Sequence, residues 1–509
     1  MKALNFKAGE LQLHHLKSLL ENKAKPSLDL ACQEQVILAQ KVVQDTLAQK
    51  KVVYGVNTGF GKLANKIISE NQLCDLQHNL LRSHAVGTGP LLPKPIVQLI
   101  MLLKINTLAQ GYSGIRWETL QMLLKCYEAD VVPCIPAKGS VGASGDLAPL
   151  AHMSLIFIGE GESLFKGKAL SGKAALEQIG LAPLSLHPKE GLSLINGTQV
   201  STAILAYALY LTQKVFEGAL IAGALTACAM GALKSPFDPR IQVLRRSKPQ
   251  EKVAAFLRQC LLAMPQVRMA QRRVQDPYSI RCQPQVMGAC LSVMEQVANQ
   301  LVQEMNAVTD NPLVFTKTNE ILSGGNFHAE PMAFASDHLA CAIAEIAGLS
   351  ERRMSLLCDE SMSGLPNFLI EENGLYSGFM MSQVTAAALT SENKMYAHPI
   401  GVDSIPTSGN QEDHVSMATS AAYRLLEMLE NTANVVSIEL LAACQAIDLQ
   451  KIDLKNTPLG AVYTQLRAIS PRLKQDRVLS GDIQAVKTKV LDKGLDAKGL
   501  DDLNISVFQ

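Results

Sequence analysis

Aromatic residues, cysteine pairs and excess charge are what this sequence has least of, and each scarcity removes a class of protein. Aromatics make up 5% of the 509 residues, with a single tryptophan, against a hydrophobic share of 48% in which Ala, Leu and Met are prominent. That bias favours tightly packed helices over β-sandwiches. Lys+Arg number 47 against Asp+Glu 46, a net charge of +1, and no long basic block stands out. Electrostatics offer no reason to expect nucleic acid as a partner, and a small or near-neutral ligand fits better. The eleven cysteines lie singly, without a Cys-x-x-Cys pair, which argues against a zinc ribbon, a thioredoxin-type site or a disulfide framework. No metal is expected, and the thiols read as reduced and mostly buried.

Two further absences concern location. The first twenty residues, "MKALNFKAGELQLHHLKSLL", lack a continuous apolar core followed by a small-residue cleavage site, so a cytoplasmic home is expected. The most membrane-like stretch, "GALIAGALTACAMGAL" at 218–233, is Gly/Ala-rich and shorter than the roughly 20 residues needed to span a bilayer. It reads as a buried helix, with no membrane as partner. No repeat of fixed length and no low-complexity linker marks a place to cut the chain.

What the sequence does contain is helical periodicity. Residues 201–233 carry almost no charge apart from Lys214 and Glu217 and no proline, which suits a long central helix, apolar nearly all round. From Val286, Met287, Cys290, Met294, Val297, Leu301, Met305 and Val308 recur at three- and four-residue steps, one helical face, until "TDNP" at 309–312 ends it. Segments from His338 and Ala421 repeat the behaviour, so an all-α fold with a long helical bundle is expected.

Six interruptions gather the residues with special backbone demands: "YGVNTGFG" from Tyr54, "GSVGASGD" from Gly139, "LINGTQ" from Leu194, "QDPYSIRCQPQ" from Gln275, "SGGNFH" from Ser323 and "GNQEDH" from Gly409. Each is a Gly- or Pro-marked turn with polar side chains, and loops on a rigid scaffold commonly carry catalytic groups. Together they suggest one composite site, although each alone is an ordinary helix connection. In "GSVGASGDLAPLAH", Asp146 reads as the N-cap of a helix whose first turn is Leu147, Ala148 and Pro149. Ser144 fits neither a Gly-x-Ser-x-Gly nucleophile elbow nor a P-loop.

"GSVGASGDLAPLAH" resembles the signature of the aromatic amino acid ammonia-lyases, and the likeness extends from "YGVNTGFG" to "LRAISPRLKQDR". The resemblance implies that Ala143, Ser144 and Gly145 cyclise into a protein-derived 4-methylidene-imidazol-5-one, with no external cofactor. The residue types suit that closure. Gly145 lacks a Cβ and lets its nitrogen approach a carbonyl two residues back, Ala143 keeps the turn uncrowded, and Ser144 supplies a hydroxyl to eliminate. The helix after Asp146 would aim its positive end at the loop.

The same resemblance implies roles elsewhere. Tyr54 is expected as the base, its phenol needing positive or hydrogen-bonding surroundings to work near neutral pH. Arg281 is expected to clamp a substrate carboxylate, with Gln275 and the catalytic-site Tyr278 in the same loop. Asn196 is expected at the electrophile and Phe327 as a pocket wall. Ser83 and His84 stand where relatives acting on phenylalanine or tyrosine carry other selector pairs, and a histidine can hydrogen-bond an imidazole. Glu412 matches the carboxylate of histidine-specific members. The expected reaction is elimination of ammonia from L-histidine to give trans-urocanate. Expected too are a homotetramer with shared sites, and one continuous catalytic unit whose residues 1–200 carry the electrophile and 201–509 form the bundle and C-terminal helices. A phenylalanine or tyrosine ammonia-lyase or an aminomutase is the rival within the class; a helical serine hydrolase or a non-catalytic scaffold is the rival outside it.

Overall fold

Three of the apolar segments become the helices Gln199–Ala229, Glu330–Cys358 and Ala418–Gln450, which pack on one another along the middle of the molecule. The computed structural model describes residues 4–263, 274–495, 497 and 505–508. All three helices are long and apolar enough to cross a membrane by length and composition. Yet 78%, 67% and 83% of their most apolar windows are buried inside the fold. Their apolarity is thus used within the chain, and the expected helix around 218–233 sits at its centre. Helices Gln283–Met305 and Lys248–Leu262 pack alongside, and Lys94–Ala109, buried from Ile96 onward, leans on Gln199–Ala229. One hydrophobic core runs continuously from Phe6 to Phe508.

A buried ion pair ties the three central helices together. The Arg353 guanidinium meets Glu439 through Nε at 2.5 Å and a terminal nitrogen at 2.7 Å, with both side chains fully buried. Glu439 also accepts from Thr226 and Ser350, so its charge is satisfied from the other two helices. Strands are confined to four small sheets among the described residues. One of these, Thr88–Leu91 against Pro136–Lys138, delivers the chain to the glycine-rich loop at 139.

The helix boundaries depart from the periodic reading at the C-terminal ends. The central helix stops at Ala229 rather than reaching Leu233, because Gly231 takes a left-handed φ of 59°. The Gly231 and Ala232 N–H groups then donate back to Cys228 and Ala227, closing a Schellman motif. Likewise Gln283–Met305 ends before Val308, where the Asn306 side chain turns back to donate to the Val302 and Leu11 carbonyls. Apolar spacing persisted there beyond the hydrogen-bonded helix.

Asp146 requires a correction. It occupies the N-cap position of helix Leu147–Leu155, but its carboxylate does not cap that helix. Oδ2 instead accepts from the Val200 and Ser201 N–H groups at 3.0 and 2.8 Å, capping the N-terminus of the central helix 55 residues away. Oδ1 accepts from the Ser140 and Thr419 hydroxyls, so one fully buried carboxylate holds the glycine-rich loop against two long helices. Its local sequence position was right; its hydrogen-bond partners were set by tertiary packing.

Candidate active site

Five of the six interrupting loops converge on one cavity of about 950 Å³. Tyr54, Ser144, Asn196, Phe327 and Glu412 each line it from a different loop, with Ala143 beside Ser144 and with Ser83 and His84 from the end of helix Leu73–His84. Gly145 lies behind this wall, buried.

The loop around Ser144 is held by close contacts that admit only small residues. Gly145, at φ 73°, forms a bridge with Gly197, and a Cβ on it would stand 2.2 Å from the Gly197 carbonyl oxygen. Gly142, at φ 68°, meets the Ser416 hydroxyl in the same way, at 2.3 Å. Four helix N-termini surround the loop. Leu147–Leu155 starts two residues after Gly145, and Gln199–Ala229 starts beside Gly197. The Ala329 N–H, just before helix Glu330–Cys358, donates to the Gly142 carbonyl at 3.3 Å, and the Met417 N–H, just before Ala418–Gln450, donates to Val141 at 2.8 Å. Each brings the positive end of a helix dipole to the loop.

Ser144 itself is addressed from two sides. Its hydroxyl donates to Glu412 Oε1 at 2.8 Å, and its carbonyl accepts from the Asn196 carboxamide at 3.0 Å. Glu412 is braced by Thr407, whose hydroxyl donates to Oε2 at 2.6 Å across a two-residue bridge. Asn196 terminates the short helix Glu190–Ile195; its Oδ1 is buried without a partner among the described residues. The Tyr54 hydroxyl accepts from the Gly61 N–H at 3.3 Å. Burial, with a smaller contribution from Glu412, holds that phenol above its ordinary pKa, and the Gly61 contact only partly offsets this.

His84 is oriented by its own helix. Nδ1 lies 2.9 Å from the Leu80 carbonyl, which can only accept, so Nδ1 carries the proton and Nε2 is left as an acceptor. Burial lowers its pKa below the ordinary 6.5, against weaker opposing effects of the Leu80 contact and Glu412, which keeps the ring neutral at pH 7.

The sixth loop stays apart. Gln275 and Arg281 line a separate cavity of about 340 Å³, and Tyr278 is 71% exposed with the Arg281 guanidinium 4.8 Å above its ring. The Arg281 Nε is buried without a hydrogen-bond partner among the described residues. A single chain therefore brings together Tyr54, Ser83, His84, Ala143, Ser144, Asn196, Phe327 and Glu412, but not Gln275, Tyr278 or Arg281.

His328, Glu330 and His414 form the one cluster among the described residues with metal-ligand types, their donor atoms within 4.8 Å of one another. The two imidazoles, however, stack face to face at 8°, and His328 Nε2 already approaches the His414 carbonyl at 3.2 Å. Sequence reading missed Thr407, which stands in no distinctive motif, and the second role of Asp146, whose partners Ser201 and Thr419 lie 55 and 273 residues away in the chain.

A family model for aromatic amino acid lyases matches residues 11–468; the chain belongs to this family and is a carbon–nitrogen lyase. It is 50% identical over 489 residues to a histidine ammonia-lyase of Legionella pneumophila, covering 95% of this chain and 96% of that protein. Among solved structures it is similar to histidine ammonia-lyase from Trypanosoma cruzi, with a TM-score of 0.87, 38% identity and coverage of 98% and 97%. A phenylalanine aminomutase from Pantoea agglomerans superposes with a TM-score of 0.91 at 30% identity, covering 96% of this chain and 99% of that one.

Proposed function

We propose that the chain eliminates ammonia from L-histidine to give trans-urocanate, using an electrophile formed from Ala143, Ser144 and Gly145. The observation that carries this reading is Ser144 placed between Glu412 and Asn196, on a loop where position 145 has room only for glycine. Ring closure joins the Gly145 nitrogen to the Ala143 carbonyl carbon and releases two waters, one from that carbonyl and one from the Ser144 hydroxyl with its α-hydrogen. The ring supplies an electron sink for the departing amine, chemistry that side-chain acids and bases alone do not provide.

The remaining work falls to side chains of the chain itself. The Asn196 N–H holds the Ser144 carbonyl, drawing electron density away from Ser144 Cα and Cβ. His84 offers its neutral Nε2 to the substrate imidazole N–H, and Glu412 faces the imidazole or the amine from the opposite side and can move a proton there. Tyr54 takes the β-proton. Its phenol sits above its ordinary pKa in the single chain, so it needs cationic or hydrogen-bonding help, and the Arg281 guanidinium and the Tyr278 hydroxyl from another copy of the chain are suited to supply it. The exposure of Tyr278 and the unpartnered Arg281 Nε support a homotetramer in which this loop completes a neighbour's cavity. Arg281 there would clamp the substrate carboxylate, with Gln275 beside it and Phe327 as the wall.

The test is to incubate purified protein with L-histidine and follow the conjugated product by ultraviolet absorbance. Turnover is expected with histidine, and none with Ser144→Ala. Activity on phenylalanine alone would overturn the substrate assignment, and an unchanged Ser144→Ala would overturn the electrophile.

A further inference from the structure

Directly behind the electrophile loop lies a charge that the reaction scheme above leaves unused. Lys104 sits on helix Lys94–Ala109, whose residues from 96 to 109 are all buried, and its own side chain is fully buried. Among the described residues its side chain makes one hydrogen bond, from Nζ to the backbone carbonyl of Asn196, at 2.6 Å. Asn196 is also the residue whose carboxamide donates to the Ser144 carbonyl. Next to it, Gly197 at φ 126° pairs with Gly145, and its carbonyl accepts from the Asp146 N–H at 2.8 Å. Lys104 thus grips one side of a two-residue hinge whose other side grips the electrophile loop.

The surroundings explain why a lysine is an unusual choice for this task. The nearest carboxylates are committed elsewhere: Asp310 pairs with Lys189 at 2.8 Å, and Asp146 is saturated by Ser140, Thr419, Val200 and Ser201. Burial, with repulsion from Lys189, brings the Lys104 amine down to about 7 against the pull of Asp310 and Asp146. A buried amine without an ion-pair partner is costly, and a carbonyl at a helix end needs only one donor. That cost is hard to account for by stability alone. An amine donates in both its protonated and neutral forms, so the grip on Asn196 holds across the neutral pH range.

We propose that Lys104 is a positioning residue for the electrophile, setting the Asn196 carboxamide so that it polarises the Ser144 carbonyl. The proposal rests on the reading of Ala143, Ser144 and Gly145 as the electrophile, and intact mass separates the two. A wild-type chain that keeps both waters would overturn that reading itself, before Lys104 is considered.

The experiment compares wild type and Lys104→Met as assembled proteins by intact mass, near-ultraviolet difference spectrum against Ser144→Ala, and steady-state kinetics with L-histidine. Lys104→Met is expected to lose two waters like wild type. Its electrophile band should shift, and kcat should fall about tenfold or more with KM within about threefold, as for removal of a group acting in the transition state. Asn196→Ala should shift the band in the same direction, and the double variant should add no further shift, because both act on one contact. A Lys104→Met protein with wild-type band and kcat, or one changed only in thermal midpoint, overturns the proposal. So does one that forms the ring no longer, which would assign Lys104 to cyclisation. If Lys104→Met does not fold, Lys104→Gln carries the same comparison on a shorter arm, with the same shift and loss expected. Failure of both to fold would make Lys104 a folding residue and overturn the proposal too.

Discussion

The side chains around Ser144 can be tested one at a time. Gly145→Ala introduces a Cβ where the Gly197 carbonyl oxygen already stands, at 2.2 Å, and the blocking atom is backbone that cannot rotate away. We expect that variant to retain both waters by intact mass and to be inactive. His84→Leu removes the acceptor Nε2 while keeping bulk, and should lower kcat/KM for L-histidine by about tenfold, the worth of one hydrogen bond in a closed site. A pH prediction follows from the same residue. The His84 pKa lies below 6.5 in the folded protein, so its acceptor role is fully present above that pH and is lost as pH falls through the depressed value. KM should therefore rise on the acid side in wild type, and His84→Gln should flatten whatever part of that rise exceeds titration of the substrate itself. Residue identity at these positions was legible in the sequence, because loops rich in glycine and polar groups stand out against apolar helices. Lys104 was legible in principle as the one charge inside "PIVQLIMLLKINTLA". Nothing in that segment, however, names its partner 92 residues away.

Helices carry the next level of argument, since they fix where those loops meet. Replacing Glu439 by Leu leaves the Arg353 guanidinium buried without its carboxylate, and should cost on the order of 3–5 kcal/mol. The double replacement Arg353→Met with Glu439→Leu should recover most of that loss, because the desolvation of both charges is removed together. Thermal unfolding of the two variants side by side decides it; equal destabilisation would mean the pair itself holds the bundle. Asp146 works across elements in a different way. Asp146→Ala strips the N-cap from Gln199–Ala229 and frees Thr419 and Ser140. We expect hydrogen exchange to quicken at Val200 and Ser201 while the middle of that helix stays protected. Helix existence and apolar faces were readable from three- and four-residue spacing, which is local chemistry. The stops at Ala229 and Met305 were not, because they depend on a left-handed glycine and on a side chain returning to the preceding turn.

Across the whole molecule, the separation of Gln275, Tyr278 and Arg281 from the cavity has a consequence for mixtures of variants. If the 275–281 loop of one copy completes the cavity of another, Ser144→Ala and Arg281→Ala chains are each inactive alone. Co-expressed, they should regain part of the wild-type rate, since some mixed assemblies contain a site with both native residues. Activity assays on the co-purified mixture, with each variant as its own control, measure this. No recovery, together with proven mixed assembly, would place the whole site within one chain. The long apolar helix 199–229 offers no help in that question, because its surface is already consumed inside its own bundle.

Taken alone, the sequence determined the helical class and marked the Gly- and Pro-punctuated loops between helices, since propensity, periodicity and glycine placement act over a few residues; the triplet proposed to cyclise was singled out by its resemblance to a family signature. It also identified the family, whose motifs run through the matched span. Only the tertiary structure decided which atoms meet. It put Glu412 on the Ser144 hydroxyl from 268 residues away, Asp146 on a helix other than its own, and Lys104 behind Asn196. Contacts at such separations depend on how whole helices pack, and packing is a property of the assembled core that no local stretch encodes.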